Sequence, residues 1–130
     1  MQLYCVDSPL AQICLALENS ILKHRLCNFY FLGVREPHIS KAIVSAVRHF
    51  PKAWFLDLGA NLGVHSLTVA KTGRQVVAVE PMPGTFLHLQ MSVKRNNFND
   101  HFILVKNAVF NERKTVVMQG FNDTKGKYTY

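Results

Sequence analysis

The sequence predicts an α/β fold: a parallel sheet covered on both faces by helices and preceded by N-terminal helices. Three observations predict it. From residue 53 onward, short apolar runs alternate with amphipathic stretches, the pattern of buried parallel strands joined by helical crossovers. The first of those runs breaks on a glycine, and a second glycine opens the stretch that follows. The chain has 130 residues, enough for one such domain and too few for two.

Residues 10–26 carry Leu10, Ile13, Cys14, Leu17 and Ile21 at helical spacing, with Ser8 as cap and Pro9 at the first helical position. Residues 29–34 form a short apolar run ending at a glycine, a strand or an extended arm. Residues 36–50 predict a helix with Ile39, Ala42, Ile43, Ala46, Val47 and Phe50 on one face, ended by Pro51. Together these make residues 1–52 an N-terminal helical segment ahead of a domain spanning 53–130. In that domain, 53–58 (AWFLDL) suits a buried strand. Residues 64–71 suit a helix closed by Gly73. Residues 75–79 (QVVAV) form a second strand and 85–96 a helix with Phe86, Leu89 and Val93 as its core face. Residues 102–105 (FILV) form a third strand, and 115–118 a fourth, in a hairpin rather than in the parallel core.

Composition narrows the function classes. A hydrophobic fraction of 48% fits a packed globular core. The formal charge of +7 raises nucleic acid, an anionic membrane surface or an acidic small molecule as partners. The cations are scattered, however. The densest groupings are the pairs Lys94-Arg95 and Arg113-Lys114, with no aromatic-interleaved basic patch, so a solvated basic surface is the better reading. Cys5, Cys14 and Cys27 have no paired spacing, which argues against a disulfide framework or a cysteine zinc site and reads them as helix-packing thiols. The histidines share no metal-ligand spacing; no metal is expected. No apolar run reaches the roughly 20 residues of a membrane span. Residues 1–17 make a poor signal peptide, and a cytoplasmic location is the expectation.

The chemistry concentrates where the first strand ends. In an open α/β sheet, ligands bind outside the carboxyl ends of the strands. Gly59 allows the sharp turn from strand to helix and close backbone approach to a ligand, and Gly63 lets the helix start pack tightly. Either glycine would serve the turn in any α/β protein. Asp57 sets a carboxylate at the strand tip. Glu80, at the end of the second strand, can accept hydrogen bonds from both hydroxyls of a ribose. A dinucleotide site wants G-x-G-x-x-G around a pyrophosphate, whereas this loop is G-x-x-x-G with an aspartate two residues ahead. A carboxylate there repels phosphates and suits a ligand with an amino group. S-adenosylmethionine, with its amino group, sulfonium and adenosine, fits Asp57 and Glu80 together. A phosphate-binding loop of the G-K-[ST] type is absent. His65, one turn into the helix, reads as a partly buried structural histidine.

The stretches FLDLGANLGVHSLTVAK, VVAVEPMP and LVKNAVF resemble the FkbM-type methyltransferases, a branch of the class I S-adenosylmethionine-dependent enzymes. The resemblance runs from about residue 54 to about residue 114, roughly half the chain. It implies a Rossmann-like parallel sheet, the first half of a class I methyltransferase fold. It implies that Asp57, Gly59 and Gly63 border the methionine moiety, with Ala60 and Asn61 between them in the cofactor loop. Glu80 would hold the ribose, with Pro81 and Met82 beside the adenine. Asn107-Ala108 stands where the family places an adenine-side contact, although Asn107 reads equally as a turn former. The implied reaction is O-methyl transfer to a small or sugar-like acceptor. The family normally continues into a fourth parallel strand with an acidic D-x-E-G-type tip. That strand is not found before Tyr130, so no catalytic residue is assigned, and a truncated, non-catalytic cofactor-binding or interaction module of the same fold is the alternative.

Overall fold

A computed structural model describes Leu3–Asp7, Gln12–Ala16, residues 37–115, Val117–Met118 and Tyr128–Thr129. Strands β1 (Leu3–Asp7) and β2 (Gln12–Ala16) come first, followed by helix α1 (Pro37–His49). The central unit is β3 (Phe55–Leu58), α2 (Val64–Ala70), β4 (Val76–Val79), α3 (Pro83–Arg95), a 3-10 turn (Asn99–His101) and β5 (Phe102–Val105). Strands β6 (Val117–Met118) and β7 (Tyr128–Thr129) close the order.

Strands β3, β4 and β5 form a parallel sheet in that spatial order. Leu58, Val79 and Val105 share one register row, so the three strand tips end level. The fold is therefore the expected α/β parallel sheet. One helix, α1, precedes it among the described residues.

Both crossover helices lie on the same face of the sheet. The order β3-β4-β5 steps in one direction, and crossovers of one hand then deliver their helices to one side. The core forms there. Leu67, Val69 and Ala70 of α2 and Leu89 and Val93 of α3 are buried with Val76 and Ala78 of β4 and Phe102 of β5. The sheet is thus not covered on both faces by the described residues. Leu56 and Leu58 on β3 and Ile103 and Val105 on β5 remain exposed on the opposite side.

Two further sequence expectations need correction. Residues 12–16 are a strand and not part of a helix: β2 pairs antiparallel with β1, with Cys5 opposite Cys14, and lies against α3. Gln12–Ala16 contains a short continuous apolar run, which periodicity cannot divide between helix and strand, and the pairing offered by β1 decides it. The rest of the expected helix over 10–26, the run 29–34 and Cys27 lie outside the described residues. The second correction concerns α1. It buries Ser40 and Val47 and half-buries Ile43 and Val44, while Ile39, Ala42, Ala46 and Phe50 stay exposed. The helix packs on α2, and Ser40 turns that stripe inward through a 3.3 Å hydrogen bond with His65 Nδ1.

The other elements match their patterns within a few residues. Gly73 has φ 77° and donates to Ala70 O at 2.8 Å, closing α2. Helix α3 starts on Pro83, earlier than its apolar spacing alone suggests, because proline fits the first helical turn. Strand β6 pairs antiparallel with β7, apart from the parallel sheet. No described helix is long and apolar enough to cross a membrane.

Gly63 joins the loop to the core. Its φ is 79°, and a Cβ added there would collide with the Cδ1 of Leu89, which is fully buried. Gly59 has φ 80° but open space on its Cβ side. Gly63→Ala should combine left-handed backbone strain with overpacking and cost roughly 2–4 kcal/mol, whereas Gly59→Ala should cost about 1–2 kcal/mol. Urea unfolding of both variants measures the difference.

Candidate functional site

The site lies where β3 and β4 end. Asp57 is half-buried on β3, on the helix-covered side. The chain then turns away from the sheet while still tied to it: the Gly59 and Ala60 amides both donate to Val79 O, at 2.9 and 3.0 Å. Asn61 takes a left-handed φ of 53°, a conformation that asparagine tolerates better than most residues. The Gly63 amide donates back to Ala60 O at 2.8 Å, and helix α2 begins with Leu67 donating to Gly63 O at 2.7 Å. Three left-handed residues, Gly59, Asn61 and Gly63, thus wind five residues into a tight strand-to-helix loop.

Glu80 closes the arrangement from β4. Its backbone amide donates to Val105 O at 3.0 Å, holding it beside the tip of β5. Its side chain turns inward and the residue is only 4% exposed. Oε2 accepts from the Asn61 amide at 2.9 Å, and Oε1 accepts from the Met82 amide at 2.8 Å. One carboxylate therefore ties the loop after β3 to the loop after β4. Burying a carboxylate is costly unless its oxygens are hydrogen-bonded, and the two amides supply that compensation. Each oxygen retains a second lone pair for a ligand hydroxyl.

Asp57 has a partner that sequence reasoning missed. The Oγ of Ser66, a fully buried residue on α2, donates to Asp57 Oδ2. The only sequence signal for it is a small polar residue on the sheet-facing side of an apolar helix. His65 beside it is half-buried and bonded to Ser40, which agrees with a structural role.

The structure brings Asp57, Gly59, Ala60, Asn61, Gly63, Glu80, Pro81 and Met82 together around two adjacent loops. Asn107 and Ala108 follow β5 at the same end of the sheet. The Asn107 side chain accepts from the Ala108 amide at 2.9 Å, a bond local to that segment. Residues 107–115 line a surface groove of their own, to which neither Asp57 nor Glu80 contributes. That groove is built from one segment, whereas the two-loop site draws its carboxylates from two strands. The two-loop site is therefore the candidate functional site. Among the described residues, no group of three or more His, Cys, Asp and Glu side chains could hold a metal ion.

No family model and no curated protein matches the sequence. Solved structures do resemble it. A methyltransferase from Geobacter sulfurreducens superimposes with a TM-score of 0.53 at 14% identity, covering 72% of this chain and 52% of that one. A candidate caffeoyl-CoA O-methyltransferase from Staphylococcus aureus gives a TM-score of 0.54 at 12% identity, over 71% of this chain and 44% of that one. The chain thus spans about half the length of these proteins.

Glu80→Gln tests the clip directly. Glutamine offers one carbonyl oxygen to two amide donors and sets its own NH₂ against the other. The substitution should cost about 1–3 kcal/mol of stability. Amide hydrogen exchange at Asn61 and Met82 should accelerate relative to Leu67 and Val76.

At this distance the likeness shows the fold alone: a Rossmann-like α/β parallel sheet, the architecture this chain shares with part of those two proteins.

Proposed function

We propose that the two-loop site binds S-adenosylmethionine and that the chain is the cofactor-binding half of a methyltransferase of the FkbM type, acting on an oxygen of a small or sugar-like acceptor. The observation that carries this reading is the Glu80 carboxylate. It is fixed between the Asn61 and Met82 amides, at the junction of the two loops, with Asp57 on the neighbouring strand.

The residues fit the cofactor on chemical grounds. The remaining lone pairs of Glu80 suit the two hydroxyls of a ribose. Asp57 has Oδ2 occupied by Ser66, which leaves Oδ1 for a cationic amino group. The space beside Gly59 lets a ligand approach the backbone. Pro81 and Met82, half-buried at the start of α3, offer an apolar surface for a base. Two carboxylates and no cation among the loop residues argue against a pyrophosphate ligand. The bound cofactor supplies the electrophilic methyl group, and the protein contributes proximity and alignment.

The second reading, a non-catalytic module of the same fold, draws on the exposed apolar side of the sheet. Leu56, Leu58, Ile103 and Val105 present an uncovered face, and among the described residues nothing pairs with the outer edge of β3. The two readings differ on transfer, and the second covers a module that binds the cofactor as well as one that serves only interaction.

Isothermal titration with S-adenosylmethionine should show saturable binding by the folded chain. Asp57→Ala and Glu80→Ala should each weaken it more than tenfold, about 1.4 kcal/mol or more. Absence of heat at millimolar cofactor, with folding verified by circular dichroism, would sink the binding claim. Unchanged affinity in both variants would move the site elsewhere.

A further inference from the structure

We propose that Ser66 is a positioning residue for ligand recognition: it fixes the Asp57 carboxylate so that Asp57 selects the ligand's amino group. This inference rests on the cofactor reading above and deepens it.

The starting observation is where the Ser66 hydroxyl goes. Serine and threonine inside helices ordinarily bond back to a carbonyl of the preceding turn. Thr68 and Ser92 follow that habit, whereas Ser40 of α1 reaches across to His65 Nδ1. Thr68 Oγ1 donates to Val64 O at 2.6 Å and Ser92 Oγ to His88 O at 2.9 Å. Ser66 instead donates across the core to Asp57 Oδ2, nine residues earlier in the chain and on another element. Both partners sit between α2 and the sheet, and Ser66 is wholly shielded from water.

The consequence is geometric. A free aspartate at a strand tip samples several rotamers, and a ligand must select one on binding. Occupying Oδ2 with a buried donor fixes the carboxylate before the ligand arrives, and pre-organisation of this kind lowers the entropic cost of binding. Among the described residues, Asp57 Oδ1 receives no donor, so it is the oxygen left for a ligand cation. Helix α2 is itself anchored at this point. Gly63 opens it against Leu89, and Ser40 of α1 holds the adjacent His65. The position of the Ser66 hydroxyl is therefore set by the core and not by the loop.

Positioning and packing predict different ligand dependences. S-adenosylhomocysteine carries the amino-acid moiety, and 5′-methylthioadenosine lacks it while keeping the same adenosine and an uncharged sulfur. If Ser66 works through Asp57, Ser66→Ala should weaken S-adenosylhomocysteine roughly five- to tenfold and leave 5′-methylthioadenosine within about twofold. In an Asp57→Ala background, Ser66→Ala should add no further loss. Ser66→Thr, which keeps the hydroxyl, should retain most of the affinity. Ser66→Cys, with similar volume and a weaker donor, serves as the second variant should the alanine protein fail to fold, and it should show the same selective loss in milder form.

Equal weakening of both ligands would overturn the proposal and make Ser66 a packing residue. Unchanged binding of both would overturn it as well. A wild-type protein that is folded yet binds neither ligand would instead overturn the cofactor reading itself. A wild type that binds both, with Ser66→Ala losing neither selectively, defeats only the positioning role.

Discussion

The site is organised by one carboxylate. Glu80 leaves the end of β4, turns into the protein and accepts a hydrogen bond from the amide of Asn61 and another from that of Met82. Those amides belong to different loops, so a single side chain sets the distance between them. Without it, the loop after β3 would be joined to its neighbour mainly through the bonds from Gly59 and Ala60 to Val79 O, which lie at its base. The unfavourable desolvation of a nearly buried charge is offset only when both donors are in place, so the clip and the loop conformation depend on each other.

The clip works because the loop is also fixed from below. Gly63 brings the start of α2 so close to Leu89 that no Cβ fits between them, and Leu89 belongs to the buried cluster shared by α2, α3 and the sheet. Packing is thereby transmitted from core to loop over a single residue. Gly59 meets no such contact, and its missing side chain leaves open space on the other side of the loop. The two glycines share a left-handed backbone and serve opposite faces of the same turn. Ser66 adds a third restraint, passing the rigidity of the helix to the Asp57 carboxylate. A site assembled this way has its polar groups aimed before any ligand binds, which is the condition for recognising a small polar molecule at modest entropic cost.

Much of this was legible in the sequence where period and punctuation agree. The unit from β3 to β5 could be read because its strands are short apolar runs, its helices have an apolar stripe, and glycine or proline marks most boundaries. The placement of Asp57 and Glu80 at the ends of adjacent strands could be read because each closes a short apolar run. Other features left little trace. Gln12–Ala16 suits a helix and a strand equally, and only pairing with Leu3–Asp7 decides it. The buried side of α1 is set by a serine, Ser40, that no hydropathy pattern would favour. The two partners of Glu80 are backbone amides, which every residue but proline possesses, so nothing in the sequence distinguishes them. Ser66 is a lone hydroxyl whose partner is defined only by how the helix sits on the sheet. The exposed side of the sheet was hidden for a related reason: the strands are apolar on both sides, and only strand order shows that both helices fall on one of them.

The account stands on the claim that the ends of β3 and β4 form one pre-organised nucleoside site. Amide chemical-shift mapping of the folded chain with S-adenosylhomocysteine tests it most directly. The account predicts saturable shifts concentrated at residues 57–63 and 80–82, with smaller ones at Asn107 and Ala108 and little change along the exposed strand residues Leu56 and Ile103. Shifts confined to residues 109–115, or none at saturating ligand, would contradict it.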